Sequence, residues 1–255
     1  MSDGYDPRLV VRGNGPAVVL VPGINGSGEL FYRQVPRLDR FYTVATYSLR
    51  DEAESLDQLD ADLALVVDMV APVERRAIVV GESFGGAVAL TFALRYPGRV
   101  AALVIVNSFA HFEPQIRLRL GIAGATLVPW GAMSALRHVT ASRLHSPHTG
   151  RVEIKQFIQL TANASRRGYL NRLKLLRRFD VRERLHAIAA PTLFVAADCD
   201  QLVPAVEQAR LMTSRVPSSA MRILEGHGHI CLIAPGVDLA AIMREWLEGG
   251  TVERR

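Results

Sequence analysis

The sequence predicts an α/β fold: a mostly parallel central sheet with helices on both faces, interrupted by a helical insertion. Three observations carry this expectation. Short, wholly apolar runs such as Ala17–Val21 and Ala102–Val106 read as strands buried on both faces, the habit of parallel sheets. Helix-length segments separate them, so strand and helix alternate at the spacing that crossover connections need. From about Ala110 to Phe179 that alternation stops, and it resumes at Thr192. The chain has 255 residues and is 49% hydrophobic, enough for one such domain and too apolar for disorder.

Each element has its own signal. Ala17–Val21 (AVVLV) ends at Pro22-Gly23, and Tyr42–Tyr47 is a β-branched and aromatic run. Ser55–Val70 reads as a helix: Ser55 and Gln58 have capping-box spacing, and Leu56, Leu59, Leu63, Val66 and Val70 share one face. Ala77–Val80 is a short strand. Phe84–Tyr96 is apolar nearly all round, which predicts a buried helix, and Pro97 follows it. Ala102–Val106 is the next strand. After the insertion come strand Thr192–Ala197, helix Ala205–Thr213, strand Ala220–Leu224 and helix Val237–Leu247. The simplest organisation is one core formed by 1–109 and 180–255, with 110–179 as a helical lid.

The lid segment is also set apart by charge. Between His111 and Arg178 there are twelve Lys or Arg against only Glu113 and Glu153, so this stretch carries +10 in a chain whose net charge is +5. Two readings follow. One is a solvated, arginine-rich surface. The other is a field that steers an acidic partner: a carboxylated substrate, an anionic lipid surface or an acidic acyl-carrier protein. Nucleic acid is not expected, because aromatics are scarce there and no binding motif occurs. The apolar stretches fall short of the roughly 20 residues of a membrane span, and the N-terminus has no charged-then-apolar leader. A cytoplasmic location is therefore the default expectation. The two cysteines, Cys199 and Cys231, are expected as free thiols and small buried packing residues. Neither cofactor nor metal is expected, since no Walker motif, G-x-G-x-x-G after a strand, or zinc-ligand spacing is present.

The chemistry centres on Gly81-Glu82-Ser83-Phe84-Gly85, a G-x-S-x-G pattern. A match this short arises by chance in roughly one chain in ten of this length, so the context decides. An apolar strand precedes it and a buried helix starts directly after the serine, which predicts a strained turn with an exposed hydroxyl. A serine nucleophile needs a base. His229, in Glu225-Gly226-His227-Gly228-His229, follows the last apolar strand. His227 is the alternative, because residues two apart in an extended loop can project the same way. Asp198 and Asp200 both follow the strand Thr192–Ala197. All three positions close predicted strands, where open parallel sheets carry their active sites.

These residues resemble those of the α/β-hydrolase family over about Ala17–Phe109 and Asp180–Leu247. The resemblance implies Ser83 as nucleophile and Asp200, the second Asp of Asp198-Cys199-Asp200-Gln201-Leu202-Val203-Pro204, as the acidic member, with Asp198 tying down the loop. His229 corresponds to the family's catalytic Gly-His. It also implies an oxyanion hole from the backbone N–H groups of Phe84 and Ile24. Here the sequence departs from the usual pattern, with Pro22 in place of the common histidine. A second departure is Ala234, where an acidic residue usually precedes the downstream proline. The resemblance implies that the insertion forms a helical lid above the nucleophile. Trp130, Met133, Leu136 and the run Leu118–Leu127 offer apolar surface there, either for a hydrophobic acyl or alkyl pocket or for packing of the lid itself, and Phe109, just past a strand end, is a further candidate for the pocket. The expected activity is hydrolysis of a carboxylic ester or thioester through an acyl-enzyme. Carbon–carbon bond hydrolysis and acyl transfer use the same triad, and a non-catalytic binding protein of this fold is the alternative from another class.

Overall fold

The computed structural model describes residues 5–73, 75–112, 146–162 and 164–249, together with the backbone of 253–254. Among these, eight strands form one sheet: β1 (Val10–Arg12), β2 (Ala17–Val21), β3 (Thr43–Thr46), β4 (Ala77–Glu82), β5 (Val100–Val106), β6 (Thr192–Ala197), β7 (Ser219–Leu224) and β8 (Glu253–Arg254). Their spatial order is β1-β3-β2-β4-β5-β6-β7-β8. Strands β2 to β7 run parallel to their neighbours, and β1 and β8 add antiparallel at the two edges. The α-helices are α1 (Val35–Leu38), α2 (Leu56–Val70), α3 (Phe84–Arg95), α4 (Arg151–Ala162), α5 (Arg166–Leu176), α6 (Ala205–Thr213) and α7 (Leu239–Leu247). No helix among the described residues is long and apolar enough to cross a membrane.

The expected α/β architecture is what the chain forms, and the reason is visible in the strands. Successive side chains point to opposite faces, so a wholly apolar strand supplies two cores. On one face Val19, Val79, Leu103 and Phe194 pack with Leu59, Leu63 and Val66 of α2, with α3, and with Met212 of α6. On the other, Val18, Val80, Val104 and Leu193 pack with Leu38 of α1 and with Leu239, Met243 and Trp246 of α7. Each fully buried Val, Leu or Phe contributes about 1.5–3 kcal/mol.

Local signals resolve in detail. Ser55 Oγ accepts from Gln58 N (3.3 Å), and Gln58 Oε1 accepts in return from Glu54 N (2.8 Å), one residue before the cap. Helix α2 also buries Asp60 and Asp62, which its apolar periodicity does not reveal. Asp62 pairs with Arg50 at 2.6 Å and Asp60 accepts from the Thr91 hydroxyl at 2.8 Å. Burial pushes the Asp60 carboxyl up to about 7, against the Thr91 hydrogen bond and the Arg95 charge. The edge strand β1 lies outside the sequence expectation because it is three residues long and exposed throughout.

The two ends of the 110–179 segment meet beside the sheet. His111 forms an antiparallel bridge with Asp180, and Val181 N donates to Ala110 O at 2.8 Å. Its described residues include helices α4 and α5. Trp130, Met133, Leu136 and the apolar run Leu118–Leu127 lie outside the described residues, as do Arg117, Arg119, Arg137 and Arg143.

Candidate active site

Strand β4 ends at Glu82 and α3 begins at Phe84, which leaves Ser83 alone on the turn at φ 54°, ψ −117°. A non-glycine residue there stores about 1–3 kcal/mol of strain and persists only where its surroundings over-determine it. They do. Ser83 N donates to Val106 O (2.9 Å), and Ser83 O accepts from Gly86 N (2.9 Å) and from the Ser108 hydroxyl (2.7 Å). The glycines are sterically required: a Cβ at Gly81 would lie 2.4 Å from Gly85 O, and one at Gly85 would lie 2.2 Å from Val21 O.

In the loops that follow β6 and β7 stand the other two residues. His229 Nε2 lies 3.0 Å from Ser83 Oγ, and His229 Nδ1 lies 2.7 Å from Asp200 Oδ2. The second carboxylate oxygen of Asp200 accepts from the backbone N–H groups of Leu202 (2.8 Å) and Val203 (3.0 Å), so the side chain is fixed at both ends. Asp198 Oδ1 accepts from Gly226 N at 2.7 Å and joins the loop after β6 to the loop after β7. His227 turns elsewhere: its Nδ1 is 2.9 Å from Ser146 Oγ and its ring packs against His148. Of the two imidazoles left open by the sequence, the one beside Ser83 is that of His229.

The electrostatics favour an imidazole that can gain a proton. Burial on its own would lower the His229 pKa, but the charge and hydrogen bond of Asp200, reinforced by Glu82, outweigh it and leave His229 above its ordinary value. Glu82 itself is pushed up to about 7 by burial; the His229 charge opposes that rise and the Asp200 charge adds to it. The cysteines are not poised as thiolates. Burial holds Cys231 well above the usual thiol range, and a hydrogen bond to Asp198 raises Cys199. Cys231 is buried as expected, but Cys199 is exposed, because β6 has already ended at Ala197 and the chain there runs along the rim.

The two backbone N–H groups proposed by resemblance flank the serine. Phe84 opens α3 and is fully buried. Ile24 follows Gly23, whose ideal Cβ would lie 3.8 Å from Ser83 Cβ. Neither N–H donates to a carbonyl among the described residues. Phe109 is buried, with its ring packed against Phe112 and Phe179 at the root of the insertion. A cleft of about 900 Å³ runs beside Asn25–Glu29 and the end of β3, but neither Ser83 nor His229 lines it.

One residue of the site escapes sequence reasoning. Asn107, at the tip of β5, is 1% exposed with φ 46°. Its Oδ1 accepts from Ala197 N (2.7 Å), and its Nδ2 donates to His229 O (2.7 Å). It therefore splices β6 to the loop that carries the imidazole. The polar Asn107-Ser108 pair directly after an apolar strand was the available signal. Asn107→Ala leaves a buried N–H and a buried C=O unpaired. It is expected to destabilise the fold by about 2–4 kcal/mol, read from urea unfolding midpoints.

Comparison with known proteins identifies the fold family. A family model described as the alpha/beta hydrolase fold matches residues 16–234. A protein of Klebsiella pneumoniae subsp. pneumoniae named "Putative carbamate hydrolase RutD" is 27% identical over 245 residues, 91% of each chain. Similar solved structures include a bromoperoxidase from Bacillus anthracis (TM-score 0.83, 20% identity, 94% of each chain). Another is a thermophilic esterase from Thermogutta terrifontis (TM-score 0.79, 20% identity, 94% of this chain and 92% of that one). With the matching model running from β2 through the loop that holds His229, the chain belongs to the α/β-hydrolase fold family.

Proposed function

We propose that the protein is a serine hydrolase that cleaves a carboxylic ester or thioester through an acyl-enzyme. The observation that carries this reading is the unbroken chain from Ser83 Oγ to His229 Nε2 (3.0 Å) and from His229 Nδ1 to Asp200 Oδ2 (2.7 Å). His229 Nε2 takes the Ser83 proton as Oγ bonds to the acyl carbon. The carbonyl oxygen becomes an oxyanion and is held by the N–H groups of Ile24 and Phe84. As the tetrahedral species collapses, the imidazolium gives its proton to the departing alcohol or thiol. A water then repeats the sequence: its proton goes to His229, its oxygen bonds to the acyl carbon, and Ser83 leaves with the proton restored while the acid departs. Carbamates, the class in the name of the RutD relative, present the same carbonyl to the same groups.

The test is a panel of p-nitrophenyl esters of increasing acyl length, with one acyl thioester and one aryl carbamate. Turnover of at least one ester to the free acid, with saturation kinetics, is the expected result. A folded protein that turns over no ester or thioester contradicts the proposal. Transfer of the acyl group to an added alcohol in preference to water would replace hydrolysis by acyl transfer on the same site.

A further inference from the structure

Arg172 touches no member of the triad, yet it is among the largest fully buried side chains of the described residues, 1% exposed. It projects from α5, in the insertion, onto the backbone of two loops at the strand tips. One guanidinium nitrogen, Nη1, donates to Ile24 O at 3.1 Å. The other, Nη2, donates to Leu49 O at 3.1 Å and to Asp51 Oδ1 at 2.7 Å. The neighbouring Asn171 adds a bond from Nδ2 to Asp51 O at 2.9 Å. The fit is tight on both sides. A Cβ at Gly26 would lie 2.3–2.5 Å from the guanidinium, and one at Gly168, a turn earlier on α5, would lie 1.9 Å from Asp51 Oδ1.

Such an arrangement is costly. Burial lowers the Arg172 pKa against the pull of Asp51, and Nε has no partner among the described residues. Apolar residues of similar volume often stabilise such a site as well or better, so a buried guanidinium points to something it holds in place. What it holds is the turn beside the nucleophile. Gly26 N donates to Gly23 O and Leu49 N to Gly26 O, both at 2.9 Å, and Arg172 fixes the intervening Ile24 carbonyl.

We propose that Arg172 is a positioning residue that clamps the 23–26 turn from the insertion side and keeps the Ile24 N–H aimed at the oxyanion. This rests on the serine hydrolase reading above. A misaimed N–H weakens the transition state more than the bound ester, because full negative charge develops only there. The loss should therefore fall on kcat and spare KM.

The experiment compares Arg172→Met, Arg172→Lys and Asp51→Asn with the wild type. It follows kcat and KM for the best p-nitrophenyl ester, affinity for an alkylboronic acid that forms a tetrahedral adduct on Ser83, and the melting temperature. Arg172→Met is expected to lose about 10- to 100-fold in kcat, with KM within about twofold and boronate affinity falling by the same factor as kcat/KM. Lysine should recover part of the loss. Asp51→Asn, which leaves the guanidinium in place, should lose about threefold in kcat. Folded Arg172 variants with kcat within about twofold of wild type overturn the assignment, as does a loss confined to KM with boronate binding unchanged. If neither Arg172 variant folds, an unaltered kcat in Asp51→Asn overturns it. A wild-type protein that no boronate or ester engages defeats the hydrolase reading and this assignment together, whereas an active wild type with indifferent variants defeats only the assignment.

Discussion

Ser83→Ala is expected to reduce kcat on the best ester by about five to six orders of magnitude while KM stays within a few fold. In the proposed mechanism the hydroxyl oxygen bonds to the acyl carbon, and among the described residues no other nucleophile lies beside His229 to replace it. Of the nearby thiols, Cys231 is held protonated by burial and Cys199 lies on the exposed rim. Residual rate should come from the N–H groups of Ile24 and Phe84, which still polarise a bound carbonyl. Stability should barely move, because alanine inherits the φ 54° conformation and its strain. A variant that keeps more than a tenth of wild-type kcat would remove Ser83 from the chemistry. The comparison needs only steady-state rates and a melting curve on the same samples.

Asp200→Asn is expected to cost about four orders of magnitude in kcat, for a different reason. The carboxylate accepts the His229 Nδ1 proton at 2.7 Å and leaves Nε2 free to take the serine proton. An amide can turn its N–H₂ toward Nδ1, which stabilises the tautomer protonated at Nε2, the wrong form for a base. The substitution also removes the largest influence that raises the His229 pKa. Only the neutral imidazole works as a base, so activity falls as pH drops through that pKa. In the wild type the acid limb of kcat/KM should therefore lie above the usual imidazole value of about 6.5. In Asp200→Asn, burial is the dominant remaining influence and disfavours the imidazolium, so the limb should move to lower pH. An acid limb that stays in place would assign it to a group other than the His229–Asp200 pair.

Much of this was legible in the sequence, and the reasons are physical. Wholly apolar strands such as β2 and β5 can only be buried on both faces, which forces helices onto each side of the sheet. Polar residues that interrupt such runs at their C-terminal ends, Ser83 and Asp200 among them, fall at the rim where the loops meet. Less could be read where burial depends on a distant partner. Asn107 and Arg172 are polar residues made tolerable by groups far along the chain, and hydrophobic periodicity carries no trace of them. The choice between His227 and His229 was open for a related reason. Residues two apart in an extended loop can project the same way, and it is contact with Ser146 and His148, distant in sequence, that draws His227 away. Strand β1 went unread because three exposed residues have no periodicity to detect. Cys199 was expected in the interior because cysteine usually packs there; its place beside Asp198 on the rim is set by where β6 stops.

The most direct measurement is covalent. A fluorophosphonate that reacts only with an activated serine, followed by peptide mapping, should place a single adduct on Ser83. The adduct should be absent from Ser83→Ala and strongly slowed in His229→Ala. No adduct on the folded wild type, or an adduct carried equally by Ser83→Ala, would contradict the claim that the imidazole 3.0 Å away makes this hydroxyl a nucleophile.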